Sequence, residues 1–288
     1  MSWRTVVISK ISKLDYQMGY LVVRGEAAKR IHINEISTLI VENPAVSMTG
    51  ILLSELVKSK VKVIFCDEKR NPLSELLPYY GSHDTSLKVR EQVKWDEIRK
   101  KEVWALIVKD KITKQAELLS NLGKSESEML MSYVNQVEPG DSTNREGHAA
   151  KVYFNALFGM QFTRSEDCPT NAALNYGYSL LLSMFNREVA LNGYITQIGL
   201  FHDNMFNQFN LGSDLMEPFR PLVDEIVYDM KPDYFEIDEK RNLLKLFEKS
   251  VKIAGREEIL ENAVKIYTRS VFDCMNCAED AVIRFYEL

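Results

Sequence analysis

The sequence predicts an α+β chain, with a small, mainly β domain at the N-terminus and a larger all-α domain after it. Three observations carry this expectation. Short β-branched runs separated by polar turns fill residues 1–81. The stretch Tyr79-Tyr80-Gly81-Ser82-His83-Asp84 then breaks the pattern. Beyond it, long segments rich in Lys, Glu, Ala and Leu read as helices. The expected divisions are 1–81, a linker over 82–91, and a helical domain over 92–288.

In order along the chain, Arg4-Thr5-Val6-Val7-Ile8, Tyr20-Leu21-Val22-Val23, Arg30-Ile31-His32-Ile33 and Thr38-Leu39-Ile40-Val41 read as strands. Tyr16-Gln17-Met18-Gly19-Tyr20 reads as a hairpin connection. Thr49 is placed to cap a helix from Gly50 to about Lys58, which puts Ile51, Leu52, Leu53, Leu56 and Val57 on its apolar side. Val61-Lys62-Val63-Ile64-Phe65 is a further strand. In the second region a long helix runs from Asp96 to about Leu122, and Ser142 or Thr143 can cap the helix that carries Glu146. Asn171 to Asn192 is a long apolar helix, and Gly193 is placed to end it. Further helices are expected at Asp238–Val251 and Arg256–Phe272.

A chain of 288 residues, 45% hydrophobic and 27% charged, is ordinary for a soluble protein of one or two domains. Apolar runs such as Leu180-Leu181-Leu182 are far too short to span a bilayer, and no basic-then-apolar leader opens the chain, so a cytoplasmic location is expected. Of Cys66, Cys168, Cys274 and Cys277 only the last two are close, and no second ligand pair accompanies them. They read as structural or incidental. A net charge of −5 runs mildly against nucleic-acid binding, but it is unevenly spread. Residues 1–81 hold 11 Lys and Arg against 8 Asp and Glu, and residues 82–288 hold 25 against 33. Global charge does not exclude a local basic groove.

Two stretches supply the chemistry. Asn144-Arg145-Glu146-Gly147-His148 is one, and the other begins at His202 and continues through Ser213 to Asp224. Together they offer Glu146, His202, Asp214 and Glu217, a set of hard oxygens and one imidazole suited to Mg or Mn. Each residue also has a plain structural reading. Thr143 and Glu146 have capping-box spacing. His148 points to a different helix face from Glu146. His202 lies in a loop, where a histidine commonly serves only as a surface or hydrogen-bonding group. Asp214 and Glu217 share a face if Ser213 caps a turn, and acidic residues there also suit a helix N-terminus. Pro218 and Pro221 belong to a first turn or a kink.

The combined pattern resembles the CRISPR-associated spacer-acquisition integrases, in the version found in single-effector (type II) systems. The resemblance rests on Asn144-Arg145-Glu146-Gly147-His148-Ala149-Ala150 with Tyr153, on Asn175-Tyr176-Gly177-Tyr178, and on Gly199 with His202. It is completed by Asp214-Leu215-Met216-Glu217-Pro218-Phe219-Arg220-Pro221-Leu222-Val223-Asp224, and it covers essentially the whole chain. It implies that Glu146, His202 and Glu217 are the catalytic metal ligands for Mg2+ or Mn2+. Asp214 then supports the site or is an alternative ligand, and Arg220 is a basic neighbour that contacts DNA or pairs with a site carboxylate.

The same resemblance implies an antiviral function: 3′-hydroxyl ends of a short DNA attack phosphodiesters at the edge of a CRISPR repeat. It implies a homodimer formed largely through the β domain. Further implied partners are prespacer and repeat DNA, a small ferredoxin-like companion protein, an effector nuclease and a ring-forming accessory protein. The long helix bearing Arg99, Lys100, Lys101, Lys109, Lys111 and Lys114 either tracks a DNA backbone or is simply a solvated face. Rival readings are a structure-specific DNA repair nuclease and a non-catalytic scaffold.

Overall fold

A computed structural model describes residues 4–25, 27–78, 82–277 and 281–287. The chain divides into two compact units, Met1–Tyr79 and Tyr80–Leu288. Tyr79, Tyr80 and Gly81 of the expected boundary stretch lie outside the described residues.

The first unit holds β1 (Arg4–Ile8), β2 (Lys13–Gln17), β3 (Tyr20–Arg24), β4 (Ala28–His32), β5 (Ile36–Val41), β6 (Ser47–Met48), α1 (Gly50–Lys58), β7 (Lys62–Cys66) and β8 (Pro72–Leu76). They form two four-stranded sheets, ordered β1-β5-β7-β8 and β4-β3-β2-β6. The hairpin expected at Tyr16–Tyr20 joins β2 to β3, with Gln17 opposite Tyr20. Met18 and Gly19 both take positive φ, which makes the two-residue turn that matches strand twist. Thr49 caps α1 as expected, accepting the Leu52 amide at 3.4 Å. The buried core runs through Ile8, Leu14, Leu21, Ile36, Leu39, Leu52, Leu56 and Val63.

The second unit begins with α2 (Thr85–Val93), so most of the expected linker over 82–91 is helix. Its physical anchor is Gln92, buried and bonded to the Ile195 amide and to the carbonyls of Ile195 and Ile198. Then come α3 (Glu97–Asn121), α4 (Glu126–Val134), α5 (Arg145–Phe158), α6 (Pro169–Leu191), α7 (Asn210–Met216), α8 (Arg220–Met230) and α9 (Ile237–Leu244). The unit closes with β9 (Ser250–Ile253), β10 (Arg256–Ile259), α10 (Leu260–Met275) and β11 (Tyr286–Glu287). At the end of α6, Gly193 at φ +84° lets the Gly193 and Tyr194 amides bond back to Ala190 and Val189, a Schellman stop.

This unit is mostly helical rather than all-α, because β10, β9 and β11 form a small sheet in that order. The helices expected at Asp238–Val251 and Arg256–Phe272 both lose residues to it. Ala254 and Gly255, both at positive φ, turn the chain into a hairpin, and the alternation in Ser250–Ile253 buries Val251 and Ile253. Among the described residues no helix is long and apolar enough to cross a membrane. Of the close pair of cysteines, Cys274 is buried and Cys277 exposed.

Candidate metal centre

The site is assembled from α3, α5, the loop after α6, and the α7–α8 junction. The start of α5 does not use the expected caps. Asn144 is left-handed at φ +52°, and Asp141 accepts the amides of Arg145 and Glu146 at 2.8 and 3.0 Å. Thr143 instead bonds the Gln136 carbonyl and Ser142 bonds Glu138, so neither caps α5. The Glu146 carboxylate is therefore released from capping duty. His148, two residues on, is exposed.

Ser213 does not open a helix; it lies inside α7, and Asp214 with it. Glu217 starts a 3-10 turn with Pro218 next to it, and Pro221 sits in the first turn of α8. Both prolines fall where the missing donor has no helical partner. This break between two helices aims Glu217 at α3.

There Lys111 joins the two glutamates. Its ammonium lies 2.6 Å from Glu146 Oε1 and 2.5 Å from Glu217 Oε2. Arg220 Nη2 holds the other Glu217 oxygen at 2.9 Å. The Arg220 guanidinium also stacks over the Tyr178 ring at 4.6 Å. Burial alone would push the Glu217 carboxyl up, but Arg220 and Lys111 outweigh it and hold it below the ordinary range. Burial likewise disfavours the Lys111 charge, yet Glu217 and Glu146 raise it above the usual lysine value.

His202 is placed by Asp214. The Asp214 carboxylate is fully buried and accepts the amides of Leu200, Phe201 and His202 at 2.6, 3.0 and 3.1 Å. It also takes the His202 ring through Nδ1 at 2.5 Å. All four of these bonds tie Asp214 to the loop that carries His202. Gly199 permits the close wrap: a Cβ there would stand 2.5 Å from the His202 carbonyl and 2.6 Å from Asp214 Oδ2. The Asp214 bond raises the imidazole above its ordinary value, against partial burial. The charges of Glu217 and Glu146 act the same way, so all three lie within one electrostatic neighbourhood. With Nδ1 protonated toward Asp214, Nε2 is the open nitrogen, and no described residue bonds it. Trp104 buttresses the loop, stacked on Phe201 at 4.6 Å and edge-on to His202 at 5.8 Å.

Beneath Arg220 lies a further buried carboxyl. Asp224 accepts the Tyr153 hydroxyl at 2.9 Å and also the Tyr178 hydroxyl. Burial pushes it up to about 6, although both tyrosines pull the other way.

Among the described residues no three His, Cys, Asp or Glu side chains stand together closely enough to grip an ion as they are. The chemistry of the donors nonetheless fits a hard divalent cation. Two carboxylates from separate elements already converge on one positive charge, and Glu217 Oε2 is buried without a well-formed hydrogen bond. The imidazole beside them follows the carboxylate–histidine–metal pattern.

Lys111 and Lys114 are buried, so neither the solvated-face nor the DNA-tracking reading of α3 holds for them. Lys111 is the site residue that spacing alone misplaces. It falls on the apolar stripe of Trp104, Ile107, Val108 and Leu118, and a lysine on such a stripe signals a buried counter-charge.

Known proteins resemble this chain in sequence and in fold. The model of the family described as CRISPR associated protein Cas1 matches residues 5–250. A CRISPR-associated endonuclease Cas1 from Neisseria meningitidis serogroup C is 36% identical over 226 residues, covering 78% of this chain and 74% of the relative. A casposase bound to integration product superposes with TM-score 0.78 at 17% identity, covering 97% of this chain and 92% of that one. A chain of a Cas6-RT-Cas1–Cas2 complex gives 0.72 at 17% identity, covering 99% of this chain and 36% of that one.

Proposed function

The chain belongs to the CRISPR-associated Cas1 family, and from that premise we propose that it is a metal-dependent DNA integrase and endonuclease that inserts new spacer DNA into a CRISPR array. The observation that carries the reading is the convergence of Glu146 and Glu217 on one cation, beside an imidazole whose Nδ1 is tied to Asp214.

The reaction is a transesterification. A 3′-hydroxyl oxygen of the incoming DNA bonds to a phosphorus at the edge of the repeat. The bond from that phosphorus to its own 3′-oxygen breaks. One proton leaves the attacker, and one is taken up by the departing oxygen. Glu146, Glu217 and the Nε2 of His202 would hold the Mg2+ or Mn2+. When bound, that ion neutralises phosphate charge and makes the attacking hydroxyl more acidic.

The chain's own groups do the rest. Asp214 fixes the tautomer and orientation of His202 and leaves Nε2 open to bind the ion. That single nitrogen cannot be both ligand and proton carrier, and we take the ligand role. Arg220 keeps Glu217 ionised and aimed. Tyr178, held by Asp224, supports the guanidinium from below.

Two staggered phosphates need two sites at a fixed separation, so the working form is a homodimer, assembled largely through the first unit. The likeness to a chain of a Cas1–Cas2 assembly supports a small ferredoxin-like companion. An effector nuclease and a ring-forming accessory protein complete the proposed partners.

The test is a labelled short duplex with 3′-hydroxyl ends, a supercoiled plasmid carrying a repeat, the companion protein and Mn2+. Wild type should join label to plasmid, and chelator should stop it. Glu146→Gln and Glu217→Gln should each lower joining by about a thousandfold or more while leaving DNA binding largely intact, because binding is spread over many phosphate contacts. Cleavage without joining would favour a repair nuclease instead. Wild-type joining by either variant would refute the assignment.

A further inference from the structure

Lys111 sits between the two carboxylates assigned above to the metal. Its ammonium is 2.6 Å from Glu146 Oε1 and 2.5 Å from Glu217 Oε2, and its side chain is only 9% exposed. A buried ammonium survives only with compensating charge. Both compensating carboxylates here are the ones assigned to the ion. An ion bound at about 2.0–2.5 Å from those oxygens would stand almost on top of the ammonium. Two like charges at that separation in a dry site repel strongly.

The rest of the site can stay in place while Lys111 moves. Arg220 holds Glu217 through Oε1, the oxygen Lys111 does not use. His202 is anchored independently by Asp214. Glu217 Oε2 touches Lys111 by charge without a well-formed hydrogen bond, so the one directional bond that departure breaks is the 2.6 Å bond from Lys111 Nζ to Glu146 Oε1. A lysine stem of four methylenes can relocate its charge without moving the backbone of α3.

We propose that Lys111 is the resident counter-cation of the metal-free site: it keeps Glu146 and Glu217 together and is displaced when a divalent ion loads. The proposal rests on the metal-site reading above. In this account Lys111 is a positioning residue. It keeps the site assembled without metal and weakens ion affinity by competing for the same oxygens. The ion therefore binds only above a threshold concentration, or once the phosphates of bound DNA strengthen its hold.

The experiment uses the full chain and Mn2+ alone, with free Mn2+ read by electron paramagnetic resonance. Lys111→Met keeps the stem and removes the charge. It should bind Mn2+ about tenfold or more tighter than wild type, since the ion then relieves a carboxylate pair left with only Arg220 as counter-charge. Its melting temperature in EDTA should fall below wild type and recover as Mn2+ is added. Equal or weaker Mn2+ affinity in Lys111→Met, with wild type binding normally, overturns this inference and leaves the metal site standing. Absence of Mn2+ binding in both proteins overturns the two readings together.

A second measurement needs no variant. Wild type is acetylated with an amine-reactive ester and read by peptide mass spectrometry, with buried Lys114 as internal reference. Lys111 should be protected in EDTA and become labelled under saturating Mg2+, while Lys114 stays unchanged. Protection of Lys111 that Mg2+ does not alter overturns the displacement.

Discussion

Replacing Asp214 by Asn changes one atom and should disable the site through His202. In the native protein one carboxylate oxygen accepts the Leu200 and Phe201 amides, and the other accepts the His202 amide and ring. An amide side chain has one oxygen. Whichever way it turns, its NH2 faces donors, so at least one bond to a backbone amide is lost. Hydrogen bonds to a charged acceptor contribute about 1.5–3 kcal/mol each, so the loss is about 1.5 kcal/mol or more. The flip that keeps the Leu200 and Phe201 bonds places NH2 against Nδ1. The imidazole then satisfies it by accepting at Nδ1 and carrying its proton on Nε2. That tautomer has no lone pair left for an ion.

Asp214→Asn should therefore lower unfolding free energy in urea and weaken Mn2+ binding by about 10–100-fold, as loss of such supporting carboxylates does. The His202 titration, followed by NMR in EDTA, adds a sign. The Asp214 bond raises the folded pKa, so its stabilisation is present below the ordinary value of 6.5 and fades as pH rises through the folded value. The variant should titrate lower and lose that pH-dependent increment. Unfolding within about 0.5 kcal/mol of wild type together with unchanged Mn2+ affinity would refute the reasoning.

Three further outcomes are expected. Asp110 in α3 is buried, with Oδ2 lacking a hydrogen-bond partner among the described residues, and burial pushes its carboxyl up to about 7 from 3.8. The folded state thus binds a proton that the unfolded chain has released, and stability falls as pH rises through that window. Asp110→Asn should stabilise by a few kcal/mol at pH 8, because each tenfold change in acidity on folding corresponds to about 1.4 kcal/mol, and should do little near pH 4; equal urea midpoint shifts at both pH values would contradict this. Gly199→Ala should cost about 1–3 kcal/mol and lower kcat for joining while DNA affinity holds, because its Cβ meets the His202 carbonyl and Asp214; an unchanged kcat would show that the loop has slack. Tyr178→Phe should cost about 1–3 kcal/mol by stripping a donor from buried Asp224, and a neutral urea midpoint would mean that Asp224 is protonated and indifferent to it.

Much of the architecture is legible in the residues. The β-branched runs of the first unit and the apolar stripes of α3 and α6 record local periodicity, and periodicity follows from which side of an element faces the core. The capping Thr49 and the stop at Gly193 are local backbone chemistry, and both stand as expected. The small sheet of β9, β10 and β11 escaped, because its strands are four residues or fewer and β11 pairs with β9 from far along the chain. A short strand carries too few alternations to be told from a helix end.

The site divides along the same line. The identities of Glu146, His202 and Glu217 come from the pattern of the chain and its family resemblance. Their present relations do not. Only packing decides that Asp141, rather than Thr143, caps α5 and frees Glu146. Only packing closes Asp214 around the His202 loop. Lys111 is 35 residues from Glu146 in the chain, and no local rule joins them. They meet because α3 crosses the start of α5 and the break between α7 and α8. Electrostatic interactions depend on distance in space, and that distance is set by helix packing.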